Sequence, residues 1–140
     1  MVQQSLTKSI KTDLKNAIIH LDFSYKKVGR LKLLEKANWA EEDLEVLESF
    51  SSRFARASDL YLSQYLRTLV LQKDPGFRGT FIDLLNLAEK SDLIDSASTW
   101  FRMRALRNIA AHDYFSSNLK DLYQEVYLLT PLVLGVSKQV

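Results

Sequence analysis

The sequence predicts an all-α fold, an antiparallel helical bundle with two long helices and shorter partners. Apolar residues recur every three or four positions almost throughout, and no segment alternates with period two. Only 4 Gly and 2 Pro stand in 140 residues, so few positions can interrupt a helix. This length suits one domain over residues 1–140, enough to bury a sizeable core. There is no internal repeat, low-complexity segment or linker composition.

The first helix is expected from about residue 4 to about residue 35, because Leu6, Ile10, Leu14, Ala17, Leu21, Tyr25 and Val28 form one apolar stripe. Asn38 and Glu41 have the spacing of a capping box for the second. Its acidic first turn, Glu41-Glu42-Asp43, suits the positive end of a helix dipole. Leu44, Leu47, Phe50, Phe54, Ala57, Tyr61, Tyr65 and Leu69 carry its apolar face as far as "KDPG" at 73–76, where proline and glycine together favour a turn. A short third helix follows with Thr80 as its cap and Phe81, Ile82, Leu84, Leu85 and Leu87 as its apolar set. "KSDLID" reads as a loop, and Asp95 or Ser96 caps a fourth helix through Trp100, Met103, Leu106 and Ile109. The pattern breaks at "YFSSN", residues 114–118. A last helix carries Leu119, Leu122, Val126, Leu129 and Val133, with Pro131 expected to kink or end it. Trp39, Trp100 and most Phe residues belong to the core or its edge.

Several function classes drop out early. Without cysteine there is neither a disulfide framework nor a thiolate metal site, which fits a reducing cytoplasm. No signal peptide and no membrane-spanning apolar run is present. A phosphate-binding glycine loop is absent, and no serine sits in a Gly-x-Ser-x-Gly elbow. His20 and His112 are far apart and lack the companions of a metal site, so no metal or cofactor is expected. His20, between Ile19 and Leu21, reads as a surface or boundary histidine. The net charge of +2 is modest, but its distribution is uneven. Glu35 to Glu48 holds six acids against one base, Lys36, whereas Ser96 to His112 holds Arg102, Arg104 and Arg107 with no acid. That acid-free stretch predicts a local positive field suited to phosphate.

The chemistry concentrates in "RNIAAHDY", residues 107–114. Arg104, Asn108 and His112 form one row on a helix. Arg107 and His112 lie about 140° apart on a continuous helix and converge if it ends near His112. Arginine can hold phosphate and stabilise a pentacoordinate transition state. Histidine can move the proton of a ribose 2′-hydroxyl or a leaving 5′-oxygen, and asparagine can orient the imidazole or donate to a phosphate oxygen. Cleavage through the RNA's own 2′-oxygen needs a base and an acid on opposite sides of phosphorus. One chain offers one suitable histidine, so a two-fold dimer would complete the set. The bland alternative is a helix C-terminus with solvated arginines.

These residues resemble the Arg-x4-His-x-Tyr signature of the HEPN superfamily, and specifically its HepT-like toxins. "WFRMRALRN" is similar to the lead-in of that family, with Trp100, Arg104, Leu106, Arg107 and Asn108 in place, and "SRFARASDLY" at 52–61 is similar to its second-helix segment. The likeness is strongest from about Asn38 to Tyr127. It implies a cytoplasmic, metal-independent endoribonuclease, the toxin of a type VII toxin–antitoxin pair, that acts on RNA as a homodimer with Arg107 and His112 as the catalytic pair. Asn108, Arg104 and Tyr114 would support them. The partner implied is an MNT-type nucleotidyltransferase antitoxin, which would add AMP to Tyr114 and block RNA with bulky negative charge. Arg53, Arg56 and Arg102 are further candidate RNA contacts. Two alternatives stay open: a non-catalytic HEPN subunit that binds nucleotide or substrate for its nucleotidyltransferase, and a structural helical module that binds a partner protein.

Overall fold

A computed structural model describes the backbone of residues 2–112 and 119–140, with side chains for residues 7–108 and 119–140. The chain folds as an all-α helical bundle, with no strand among the described residues. Helix α1 spans Val2–Arg30, and a 3-10 turn follows at Leu33–Glu35. A long rod then runs as α2 (Glu41–Asp59), a π-helical segment (Leu60–Leu66) and α3 (Arg67–Lys73). Helices α4 (Phe81–Lys90), α5 (Ala97–His112) and α6 (Leu119–Gly135) complete the bundle, with a 3-10 turn at Val136–Lys138.

The apolar stripes decide which faces meet. In α1, Ile10, Leu14, Ala17, Leu21 and Val28 are buried; in the rod, Leu47, Phe50, Phe54, Ala57, Tyr61 and Tyr65 are. Register shows that neighbouring helices run antiparallel. Arg53 of α2 reaches His20 and Ser24 of α1, while Tyr25 of α1 packs on Phe50 further back along α2. Likewise Asp59 meets Arg107, and Tyr61 packs on Trp100. The rod is therefore central, touching α1, α5 and α6. Trp100 is buried and Trp39 half-buried, its indole N–H donating to the Leu33 carbonyl at 2.8 Å. Phe50 and Phe54 are buried and Phe77 and Phe81 half-buried, but Phe23 and Phe101 stand exposed. At Gly29 a Cβ would lie 2.8 Å from Tyr127 Oη, so glycine admits the tyrosine that stacks on Tyr25.

The structure corrects or refines four expectations about the helices. Helix α1 ends at Arg30, before residue 35, because Lys32 turns into the left-handed region at φ 51°. The second helix is not capped by Asn38 and Glu41. Its N-cap is Ala40, whose amide donates to the Asp43 carboxylate at 3.0 Å, and Lys36 braces that carboxylate. Those two partners hold the Asp43 carboxyl below its ordinary range. The rod is not one uniform α-helix, since its middle widens into the π segment. Pro131 does not end α6, which continues to Gly135. The break at "YFSSN" lies outside the described residues, as do Tyr114 and the side chain of His112.

Other expectations hold. Thr80 caps α4, its Oγ1 accepting from the Asp83 amide at 3.2 Å while the Asp83 carboxylate accepts from the Thr80 amide at 2.9 Å. Ser96, rather than Asp95, caps α5 through the Thr99 amide at 3.2 Å. His20 is exposed. No helix among the described residues is long and apolar enough to cross a membrane.

Candidate functional site

The centre of interest is the face of α5 turned toward the rod. Trp100, Met103 and Leu106 fill the bundle interior, which fixes the helix azimuth. Arg107, next after Leu106, therefore emerges at the boundary beside α2. There its Nη1 donates to Asp59 Oδ1, and the Ser63 hydroxyl donates to the same oxygen at 3.1 Å. The ion pair is open to solvent, with side-chain exposures of 34% for Arg107 and 45% for Asp59.

Geometry gives Asp59 and Ser63 a shared origin. Asp59 closes the α-helical part of the rod, and Ser63 lies one wide turn later in the π segment. A π segment lengthens the turn, which lines up residues four and five apart, and such segments often stand at functional sites. The same segment is held from the opposite end of the chain. Tyr61 Oη donates to Gln139 Oε1 at 3.1 Å, and Tyr65 Oη donates to the Gln139 carbonyl at 3.0 Å. Burial pushes the Tyr61 hydroxyl up to about 12 and raises that of Tyr65. Both phenols are thus neutral donors near neutral pH.

The remaining arginines do not converge on Arg107. Arg102 forms two short bonds to Glu125 of α6, at 2.7 and 2.8 Å, which lower the Glu125 carboxyl and raise the guanidinium. Arg104 lies over the Phe81 ring, 4.0 Å from its centroid, facing α4. Arg53 is committed to α1, bonding Ser24 Oγ at 2.8 Å and the His20 carbonyl at 3.2 Å while lying over Phe23. Asn108 and Arg56 are exposed, and neither side chain has a hydrogen-bond partner among the described residues. Helix α5 reaches His112 along its backbone; the rest of the motif, including Tyr114, lies outside the described residues.

The acid-free stretch consequently does not give an unopposed positive field. Glu125 and Asp59 arrive from other helices and offset Arg102 and Arg107. Arg102 and Arg53 act as braces between helices rather than as open phosphate contacts. Sequence reasoning missed Asp59, Ser63, Phe81 and Glu125 as partners. Asp59 alone carried a signal: it is the single acid between Ser49 and Lys73, in a segment with three arginines.

Ile82, Leu85, Ala97 and Phe101, with Asn86 and Ser98, line a shallow groove of about 220 Å³ between α4 and α5. Its lining suits an apolar side chain better than a phosphate. Among the described residues no group of acids and histidines could hold a metal ion. No family model, curated protein or solved structure matches the chain.

Proposed function

We propose that this chain is a metal-independent endoribonuclease of the HepT-like branch of the HEPN superfamily. In this reading it is the toxin of a type VII pair, a cytoplasmic homodimer silenced by an MNT-type nucleotidyltransferase. One observation carries it: the Arg107-x4-His112 part of the sequence motif closes α5, with Arg107 anchored at an open boundary by Asp59. Guanidinium offers five N–H donors, so Nη1 can hold Asp59 while others reach phosphate oxygens. Because Asp59 offsets its charge, Arg107 serves more as a positioned donor than as a source of net field.

The reaction balances without a metal. The ribose 2′-oxygen attacks phosphorus as its proton passes to a neutral His112. The bond to the 5′-oxygen breaks, and that oxygen takes a proton from a second, protonated His112 supplied by the dimer. The products are a 2′,3′-cyclic phosphate and a 5′-hydroxyl. Arg107 would stabilise the charge on the non-bridging oxygens, with Asn108 in support; Arg104, seated over Phe81, stands apart from them. AMP on Tyr114 would place a second phosphate where the substrate's must sit.

The test is cleavage of RNA in EDTA by the purified protein, with His112→Ala and Arg107→Ala variants of matched circular dichroism. Cyclic-phosphate ends are expected, with rates lowered about 10²–10⁴-fold in His112→Ala and about 10²–10³-fold in Arg107→Ala. Mass measurement must first show that Tyr114 carries no AMP. A second reading draws on the neutralised arginines: with Arg107 and Arg102 both paired to carboxylates, the chain could be a non-catalytic subunit that presents nucleotide to its transferase. Failure of unmodified, dimeric protein to cut total cellular RNA would favour that reading.

A further inference from the structure

We infer that one face of the central rod, carrying Arg56 and Arg67, is a track for the phosphate backbone of single-stranded RNA on both sides of the Arg107–Asp59 pair. The inference rests on the ribonuclease reading and assigns the substrate contacts around that site. Asp59, Ser63 and Arg67 are four apart, a spacing the π segment lines up, and Arg56 lies three before Asp59 on α2, where residues three apart are neighbours. The Ser63–Asp59 bond at 3.1 Å fixes that register across the junction between α2 and the π segment. Arg107 joins the row at its middle through Asp59.

The two end cations differ from the other arginines near the site. Arg53, Arg102 and Arg104 are committed to α1, Glu125 and Phe81. Arg56 is exposed and Arg67 half-exposed, and neither guanidinium has a hydrogen-bond or ion-pair partner among the described residues. From Ser49 to Lys73 the rod holds no acid but Asp59, whose charge Arg107 already meets. The row thus ends in an unopposed cation on either side of a near-neutral pair. Its length is eleven residues, under about 16 Å because the wider π segment rises less per residue than an α-helix, enough to follow two or so successive phosphates.

Binding is measured with a short 2′-O-methyl RNA, which lacks the attacking hydroxyl and so separates binding from cleavage. Fluorescence anisotropy across a salt series gives the slope of log affinity against log salt. Arg56→Ala and Arg67→Ala are each expected to weaken binding and to reduce the slope by about 0.7, the value for one phosphate contact on a single strand. Arg78→Ala, on the exposed turn before α4, is expected to leave the slope unchanged. Wild-type binding with unaltered slopes in both rod variants would overturn the track but leave the ribonuclease reading standing. A wild-type protein with no salt-dependent affinity for this RNA would overturn the track and count against the ribonuclease reading itself.

Discussion

The start of α4 and the arginine row of α5 make an instructive pair. At the start of α4 every partner lies within three residues: Thr80 and Asp83 satisfy one another's backbone amides. In α5 the partners lie far away in sequence, Asp59 for Arg107 and Glu125 for Arg102, separated by 48 and 23 residues. The first arrangement follows from helix geometry alone. The second exists only because apolar stripes have already oriented three helices. Local polar chemistry at a helix end is therefore independent of the fold, whereas the candidate site is a consequence of it.

The sharpest way to test that dependence is to disturb the orientation rather than the charges. Leu106, 1% exposed, precedes Arg107 and holds α5 in the interior. Leu106→Ala is expected to cost about 2–5 kcal/mol, read from urea unfolding. It should also loosen the Arg107–Asp59 pair that its neighbour makes. A loss under about 1 kcal/mol would show that α5 is not anchored where the contacts place it.

The contrast continues on the rod, where Tyr61 reaches Gln139 across 78 residues. Its hydroxyl is held neutral up to about 12, mainly by burial. An unfolded tyrosine releases its proton near pH 10 while the native one keeps it, so the unfolded state binds fewer protons in that window. Stability should then fall from about pH 10 to about pH 12, by roughly 3 kcal/mol in total. Tyr61→Phe should flatten most of that decline, leaving the smaller share of Tyr65 and Tyr127, whose hydroxyls burial also raises. Equal alkaline slopes in the two proteins would show that Tyr61 is not buried as described.

The same distinction explains what the sequence disclosed. The stripes of α1 and of the rod were legible because burial follows helical period, and Ile10 to Val28 and Leu47 to Tyr65 bury their predicted faces. Thr80 and Ser96 were legible as caps because a cap is a local hydrogen bond. The true cap of α2 was not, since Asp43 reaches back to the plain alanine at 40. Nor was the stop at Lys32, where a non-glycine residue adopts a left-handed turn that no local pattern announces. The π segment escaped for a related reason: Tyr61 to Tyr65 is a four-residue step that an α-helix also allows. Charge counting along α5 misjudged the field because carboxylates on α2 and α6 are invisible to a window on α5.

At the local end of the comparison, Thr80→Ala should cost about 1 kcal/mol, with Thr80→Ser largely restoring it. Because the Thr80 amide and hydroxyl hold the Asp83 carboxyl below its ordinary range, this cap weakens as pH falls through that lowered value. Thermal melts at neutral and acid pH should therefore converge for wild type and Thr80→Ala as Asp83 protonates. A constant difference would place the cap's contribution in the hydroxyl alone.

The smallest effect on stability should come from the pair with the most to say about function. Arg107 and Asp59 are both well exposed, so a double-mutant cycle between them should give under about 1 kcal/mol of coupling in folding. Under the proposed ribonuclease reading, cleavage is where they should couple strongly. Asp59→Asn keeps an oxygen for Arg107 and Ser63 but removes the charge. If Asp59 positions the guanidinium, Asp59→Ala lowers kcat with little effect on KM while Asp59→Asn largely keeps it, and adding Asp59→Ala to Arg107→Ala costs nothing further. If Asp59 only dampens the local field, either change instead tightens RNA binding and leaves kcat unchanged. The geometry favours positioning, because Ser63 holds the very oxygen that receives Arg107 and a mere counter-charge would need no such brace.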